Sequence, residues 1–112
     1  MLKKKVLDIA HRGASGTKPE NTKSSFLEAI KINADIIEFD VHKTKDDQIV
    51  VIHDSTVNRT SNGTGKISSL TLAELKKLNF GTAQNPQTIL TLKEALQLIG
   101  KKSYIIIELK KT

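Results

Sequence analysis

One stretch limits the folds open to this chain: Ile36, Ile37, Glu38, Phe39, Asp40 and Val41. Its apolar density is that of a buried strand, yet carboxylates stand at positions i and i+2. Alternate side chains leave a strand on the same side, so Glu38 and Asp40 project together. Adjacent anions repel, and each resists burial. A bound cation is the simplest compensation.

The segments around this strand read as alternating β and α elements. Val6, Leu7, Asp8, Ile9 and Ala10 form a short apolar strand that runs into His11-Arg12-Gly13. Pro19 delays the next helix, which opens at Glu20-Asn21-Thr22 with Asn21 or Thr22 as its N-cap. Phe26, Ala29, Ile30 and Asn33 line one face of that helix, with Leu27 beside it, and it ends near residues 33–35. Strand, helix and strand make a βαβ unit with parallel strands. A polar turn at residues 45–48 then leads to a second apolar strand over residues 49–54. So short a connection predicts an antiparallel hairpin, which sets His53 roughly opposite Val41. Thr71 with Glu74 and Thr91 with Glu94 have capping-box spacing and open two further helices. In the second of these, Leu92, Ala95, Leu96 and Ile99 face inward and Gly100 stands at the end. A last apolar strand, residues 104–110, carries Glu108 and Lys110 at i and i+2.

Composition narrows the chemistry. The chain contains no cysteine, which excludes disulfides, a thiol nucleophile and a cysteine-based zinc site. Its net charge of +6 suits an anionic substrate. The charge is dispersed, and with aromatics at only 4% there is no stacking platform for nucleic acid. No apolar run approaches the ~20 residues of a membrane span. Met1-Leu2-Lys3-Lys4-Lys5 is basic, but the apolar run after it is broken by Asp8 and too short for a secretory core. A cytoplasmic location is expected.

Polar groups therefore close three strands: His11-Arg12, Glu38 with Asp40, and Glu108 with Lys110. The hairpin adds His53-Asp54. In parallel α/β folds the C-terminal strand ends line the active site. The sequence resembles the glycerophosphodiester phosphodiesterase family, within the phospholipase-C-like phosphodiesterase barrels. The matching blocks are His11-Arg12-Gly13, Pro19-Glu20-Asn21-Thr22, Glu38-Phe39-Asp40-Val41, Val50-Val51-Ile52-His53-Asp54, Arg59-Thr60 and Ile107-Glu108-Leu109-Lys110, in the family's order.

The resemblance implies an α/β fold, the N-terminal part of a (β/α)8 TIM barrel. It implies a metal-dependent hydrolase that splits glycerophosphodiesters into sn-glycerol 3-phosphate and an alcohol. By motif match Glu38, Asp40 and Glu108 are the metal ligands. Three carboxylates independently suit one hard divalent cation, Mg²⁺, Ca²⁺ or Mn²⁺. His11 and His53 match the family's general acid/base pair, a task suited to imidazole with its ordinary pKa of about 6.5. Arg12 and Lys110 match phosphate-binding positions. Glu20, Asn21 and Asp54 are supporting residues: the first two brace the helix start and Arg12, and Asp54 orients His53 or caps the next turn. His42 is expected on the opposite face of its strand from Glu38 and Asp40, in a structural or exposed role. The nucleophile is water or a substrate hydroxyl. Residues 43–90 correspond to the family's insertion, which caps the site within a single partial domain over residues 1–112.

Two departures from the family carry expectations of their own. A TIM barrel takes roughly 250 residues, about twice this length. An amino-terminal fragment, a truncated gene product or a piece that assembles with another chain is therefore expected, with self-association or a complementing chain covering the open strand edge. The alternative to a hydrolase is a noncatalytic remnant that binds metal or phosphate, or serves only as an oligomeric structural piece. Locally, Asp46-Asp47-Gln48 stands where the family commonly has Asp-Gly. Without that glycine the hairpin is expected to use a longer or different turn.

Overall fold

The structure is a computed structural model that describes residues 7–110. Val6, the first residue of the expected first strand, and the basic start lie outside the described residues. Four strands form one sheet: β1 (Ile9–His11), β2 (Ile36–Lys43), β3 (Ile49–Val51) and β4 (Tyr104–Leu109). Every other strand pairs with β2: β1 and β4 run parallel to it and β3 antiparallel. Among the described residues three α-helices, α1 (Lys23–Lys31), α2 (Leu72–Lys76) and α3 (Leu92–Ile99), and a short 3-10 helix at Ile67–Ser69 accompany the sheet. Among the described residues no helix is long and apolar enough to cross a membrane.

β2 is buried on both faces, and its alternation divides the labour. Ile37, Phe39 and Val41 pack into the main core with Phe26 and Ala29 of α1 and Ala95 and Ile99 of α3. The rings of Phe26 and Phe39 lie tilted, with centroids 5.5 Å apart. Glu38, Asp40 and His42 fall on the other face and are buried as well. This corrects the expectation for His42, because residues 38, 40 and 42 share one parity on an unbroken strand. A second core lies under the insertion, where Val57, Ile67, Leu75, Phe80 and Ile89 close on Val50 and Ile52.

The helix starts follow local sequence. Thr22, rather than Asn21, caps α1; its hydroxyl accepts from the Ser25 amide while the Ser25 hydroxyl accepts from the Thr22 amide. Thr71 and Thr91 cap α2 and α3 in the expected capping boxes with Glu74 and Glu94. The buried stripe of α3 is narrower than expected. Ala95 and Ile99 are fully buried with Leu92 and Leu98 partly so, whereas Leu96 turns about 100° away and is exposed.

The hairpin is antiparallel as expected, but its register differs. Val41 pairs with Val51, so β3 ends two residues before His53. Asp47 itself takes the left-handed conformation (φ +62°) that a glycine would supply. Aspartate visits this region more readily than most residues. The Thr44 amide donates to the Gln48 carbonyl at 2.8 Å, and the Gln48 amide to the Thr44 hydroxyl at 3.0 Å. The turn stays short without its glycine.

Candidate active site

The parallel strands bring their C-terminal ends to one edge, and their registers decide which side chains meet. His11 pairs with Glu38 across β1 and β2, and Asp40 pairs with Glu108 across β2 and β4. One carboxylate oxygen each from Glu38, Asp40 and Glu108 lies within 4.8 Å of the other two. Two ligands of one ion at about 2.3–2.6 Å stand no more than about 5 Å apart, so the spacing fits a shared hard cation. The charge balance fits too. Asp40 is fully buried, and its Oδ1 accepts no hydrogen bond among the described residues. Burial pushes the Glu38 carboxyl above its ordinary pKa, and the negative charge of Asp40 adds to the rise. Glu108 goes the other way, lowered chiefly by its hydrogen bond from Lys110 at 3.0 Å.

Cations of the protein surround this cluster without filling it. Arg12 Nε stands 3.6 Å from Asp40 Oδ2, and Lys110 Nζ 3.9 Å from Asp40 Oδ1. Asn21 donates to Asp40 Oδ2 at 3.3 Å, and the Arg12 amide donates to Glu38 Oε1 at 3.2 Å. Arg12 (φ +57°) and Asn21 (φ +56°) both adopt left-handed backbone conformations. Such residues cost of order 1 kcal/mol each and persist where the surroundings enforce them. Here the Arg12 carbonyl accepts from the Asn21 amide at 2.8 Å, which locks the two residues to each other. Gly13 (φ +76°) completes the bend; a Cβ there would meet Ser25 Oγ and come within 2.8 Å of Phe26 Cδ1.

The imidazoles occupy different settings. His11 is largely exposed at the end of β1, with Nε2 3.6 Å from Glu38 Oε1. His53 is partly buried, and its Nδ1 lies 2.9 Å from Asp54 Oδ1. His42 Nε2 donates to the His53 carbonyl at 2.8 Å, tying the backbone at His53 to β2. Of the supporting residues, Asn21 reaches Asp40 itself, and Glu20 meets Arg12 only at 3.4 and 3.5 Å.

Arg59 is the residue whose part was missed. The Arg59-Thr60 block matches the family without a role for the arginine, since a lone arginine in a polar loop carries no periodic signal. Its guanidinium donates to both carboxylate oxygens of Asp54, at 2.9 and 3.0 Å, and to both of Glu20, each at 2.9 Å. Those hydrogen bonds hold Asp54 well below the ordinary carboxylate range, against its partial burial and with His53 adding to the effect. Burial raises Glu20, but the contacts with Arg59 and Arg12 bring it below its ordinary value.

A mostly parallel sheet with acids, imidazoles and guanidiniums at its C-terminal edge and helices packed behind forms the N-terminal part of a TIM barrel. The sequence profile of the Glycerophosphoryl diester phosphodiesterase family matches residues 11–112. The chain belongs to that family. The glycerophosphodiester phosphodiesterase of Caldanaerobacter subterraneus subsp. tengcongensis is 49% identical in an alignment of 111 positions, gaps included, that covers 95% of this chain and 46% of that protein. The glycerophosphodiester phosphodiesterase of Bacillus subtilis is 42% identical in an alignment of 118 positions, gaps included, that covers 95% of this chain and 40% of that one. Among solved structures, the glycerophosphodiester phosphodiesterase of Agrobacterium tumefaciens superposes with a TM-score of 0.88 at 34% identity, covering 92% of this chain and 46% of that chain. A phosphodiesterase of Oleispira antarctica, in complex with the product sn-glycerol-3-phosphate, gives 0.87 at 40% identity, covering 91% and 43%. The chain thus spans less than half the length of these relatives.

Proposed function

We propose that this chain carries the cation-binding and acid/base part of a glycerophosphodiester phosphodiesterase, which releases sn-glycerol 3-phosphate and an alcohol. The observation that carries the reading is the meeting of Glu38, Asp40 and Glu108 oxygens within 4.8 Å beside a buried, undersatisfied Asp40. Glu38, Asp40 and Glu108 would hold one divalent cation, Mg²⁺, Ca²⁺ or Mn²⁺. When bound, such an ion neutralises phosphoryl oxygens and favours the nucleophile.

The protein's own groups supply the rest. Arg12 makes only long contacts with Glu20 and Asp40, so a phosphate offering two oxygens suits its planar fork better. Lys110, between Glu108 and Asp40, adds positive charge on the β4 side. His53 is held through Nδ1, which leaves Nε2 to move a proton at the leaving or attacking oxygen. His11, at the open end of β1, takes the complementary step. Residues 43–90 form the insertion that caps the site and shapes the alcohol side. The exposed Tyr104, Ile106 and Leu109 of β4 are where self-association would bury surface.

The test is release of glycerol 3-phosphate from glycerophosphocholine, with and without divalent cation. Cation-dependent release supports the reading. No release from folded protein would defeat it for this chain; if cation still raised the melting temperature, only the binding function would stand. A light-scattering mass of a single 12.4 kDa chain would count against self-association.

A further inference from the structure

We infer that Arg59 is a positioning residue for the proposed reaction, a clamp whose grip on Asp54 and Glu20 fixes the tautomer of His53 and steadies Arg12. The inference rests on the roles proposed above for His53 and Arg12. Arg59 sits in the insertion, and Glu20 lies in the loop between β1 and α1, 39 residues away in sequence. The guanidinium spends four N–H···O contacts on two carboxylates, using Nε, Nη1 and Nη2 together. Both faces of the clamp are bidentate, the strongest arrangement open to an arginine and a carboxylate.

The consequence for His53 follows from which atoms can donate. Asp54 Oδ1 accepts from Arg59 Nη2 at 3.0 Å and lies 2.9 Å from His53 Nδ1. An ionised carboxylate only accepts, so Nδ1 must carry the hydrogen and the neutral ring presents a bare Nε2. A free imidazole side chain prefers the other tautomer, with the proton on Nε2. Asp54 sets the direction, and Arg59 keeps Asp54 rotated toward the ring. On the other side, Glu20 lies 2.9 Å from Arg59 but 3.4 Å or more from Arg12. Its placement is therefore set by the clamp, and Arg12 adjusts to it. An ordinary half-exposed ion pair would contribute little and orient nothing. Here the two partners of Arg59 each touch a residue of the reaction.

The experiment is a long-range ¹⁵N correlation spectrum of the histidine rings in the labelled chain at about pH 8.5, where imidazole is ordinarily neutral. The His53 signals are assigned by loss in His53→Gln. In the parent, His53 is expected mainly as the Nδ1–H form. In Arg59→Gln that population should fall below half, while Glu20→Gln, which leaves the grip on Asp54 intact, should keep the parent tautomer. Arg59→Lys retains the charge but not the fork and should fall between; it decides the matter alone if Arg59→Gln does not fold. A parent His53 protonated on Nε2, an unchanged tautomer in folded Arg59→Gln or Arg59→Lys, or an equal shift in Glu20→Gln would each overturn the inference. The readout needs neither substrate nor cation. A failed phosphodiesterase assay therefore leaves the control of the tautomer by Arg59 measurable and removes only its link to a reaction, while an overturned tautomer result leaves the hydrolase reading untouched.

Discussion

The carboxylates on the strands and those around Arg59 are chemically alike and treated in opposite ways. Glu38, Asp40 and Glu108 crowd together, with an unsatisfied oxygen on Asp40 and with Glu38 displaced upward in pKa. Glu20 and Asp54 share one guanidinium, have their oxygens bonded at 2.9–3.0 Å, and are displaced downward. The clamp sets one guanidinium between two carboxylates, and the hydrogen bonds it donates to both build geometry. The strand cluster holds three carboxylates, with Arg12 and Lys110 only 3.6 and 3.9 Å from Asp40, and in the proposed reading a divalent cation would complete it. A site that only stabilised the fold would have no reason to leave Asp40 short of partners at the centre of the sheet.

Substitutions break this contrast most sharply in activity. Asp40→Asn should lower cation-dependent release of glycerol 3-phosphate by about 10³-fold, the loss of several kcal/mol of charge stabilisation. Asp54→Asn should lower it by only about 10–100-fold, as expected for a residue acting through its neighbour. Comparable losses would erase the distinction. Cation binding comes next. At about one hundred times its Kd, a divalent ion should stabilise the parent by about 2.7 kcal/mol, a rise in Tm of roughly 10–15 °C that chelator reverses. Glu38→Gln should lose most of that rise and Glu20→Gln should keep it.

Without cation at neutral pH the two regions should respond with opposite signs. Glu38→Gln relieves repulsion and should raise stability by up to about 1 kcal/mol in a urea melt. Glu20→Gln removes clamp bonds and should lower it by about 1 kcal/mol. The smallest effect concerns acid. Glu20 and Asp54 have depressed pKa values when folded, so the unfolded chain takes up their protons first, near the ordinary values of about 4.3 and 3.9. Their contribution is complete above about pH 5, begins to fall as pH drops below those values, and goes on falling until the lower folded-state values are passed. Thermal melts from about pH 6 to pH 3 should therefore show a flatter acid limb in the Glu20→Gln/Asp54→Asn double variant than in the parent.

Much of this fold was legible because its signals are local. Capping boxes at Thr71 and Thr91, the short hairpin connection and the i, i+2 carboxylates each follow from neighbouring residues. What escaped was set by long-range geometry. The left-handed backbone at Arg12 and Asn21 depends on Glu38 and Asp40 arriving from another strand. The placement of His53 depends on a register that Asp47 makes by taking a conformation glycine usually fills. Arg59 joins residues five and thirty-nine positions away, a relation no periodicity encodes. His42 shows a plainer cause: counting parity along one strand was enough to place it, and the expectation miscounted.

The separate core beneath the insertion has a consequence for how such proteins can be altered. Ile67, Leu75, Phe80 and Ile89 close on one another and on Val57, away from the main core behind β2. His53 and Arg59, by contrast, are pinned to β2 and to the β1–α1 loop. The outer part of the insertion is therefore a cassette mounted on fixed pins. Residues between Lys66 and Thr88 meet the rest of the fold at a few polar points, among them Leu72 with Asp46, Gln87 with Ser24 and Lys76 with Glu94. An exchange of that segment among related chains has to keep those contacts and refill the small core, while His53 stays where the strands put it.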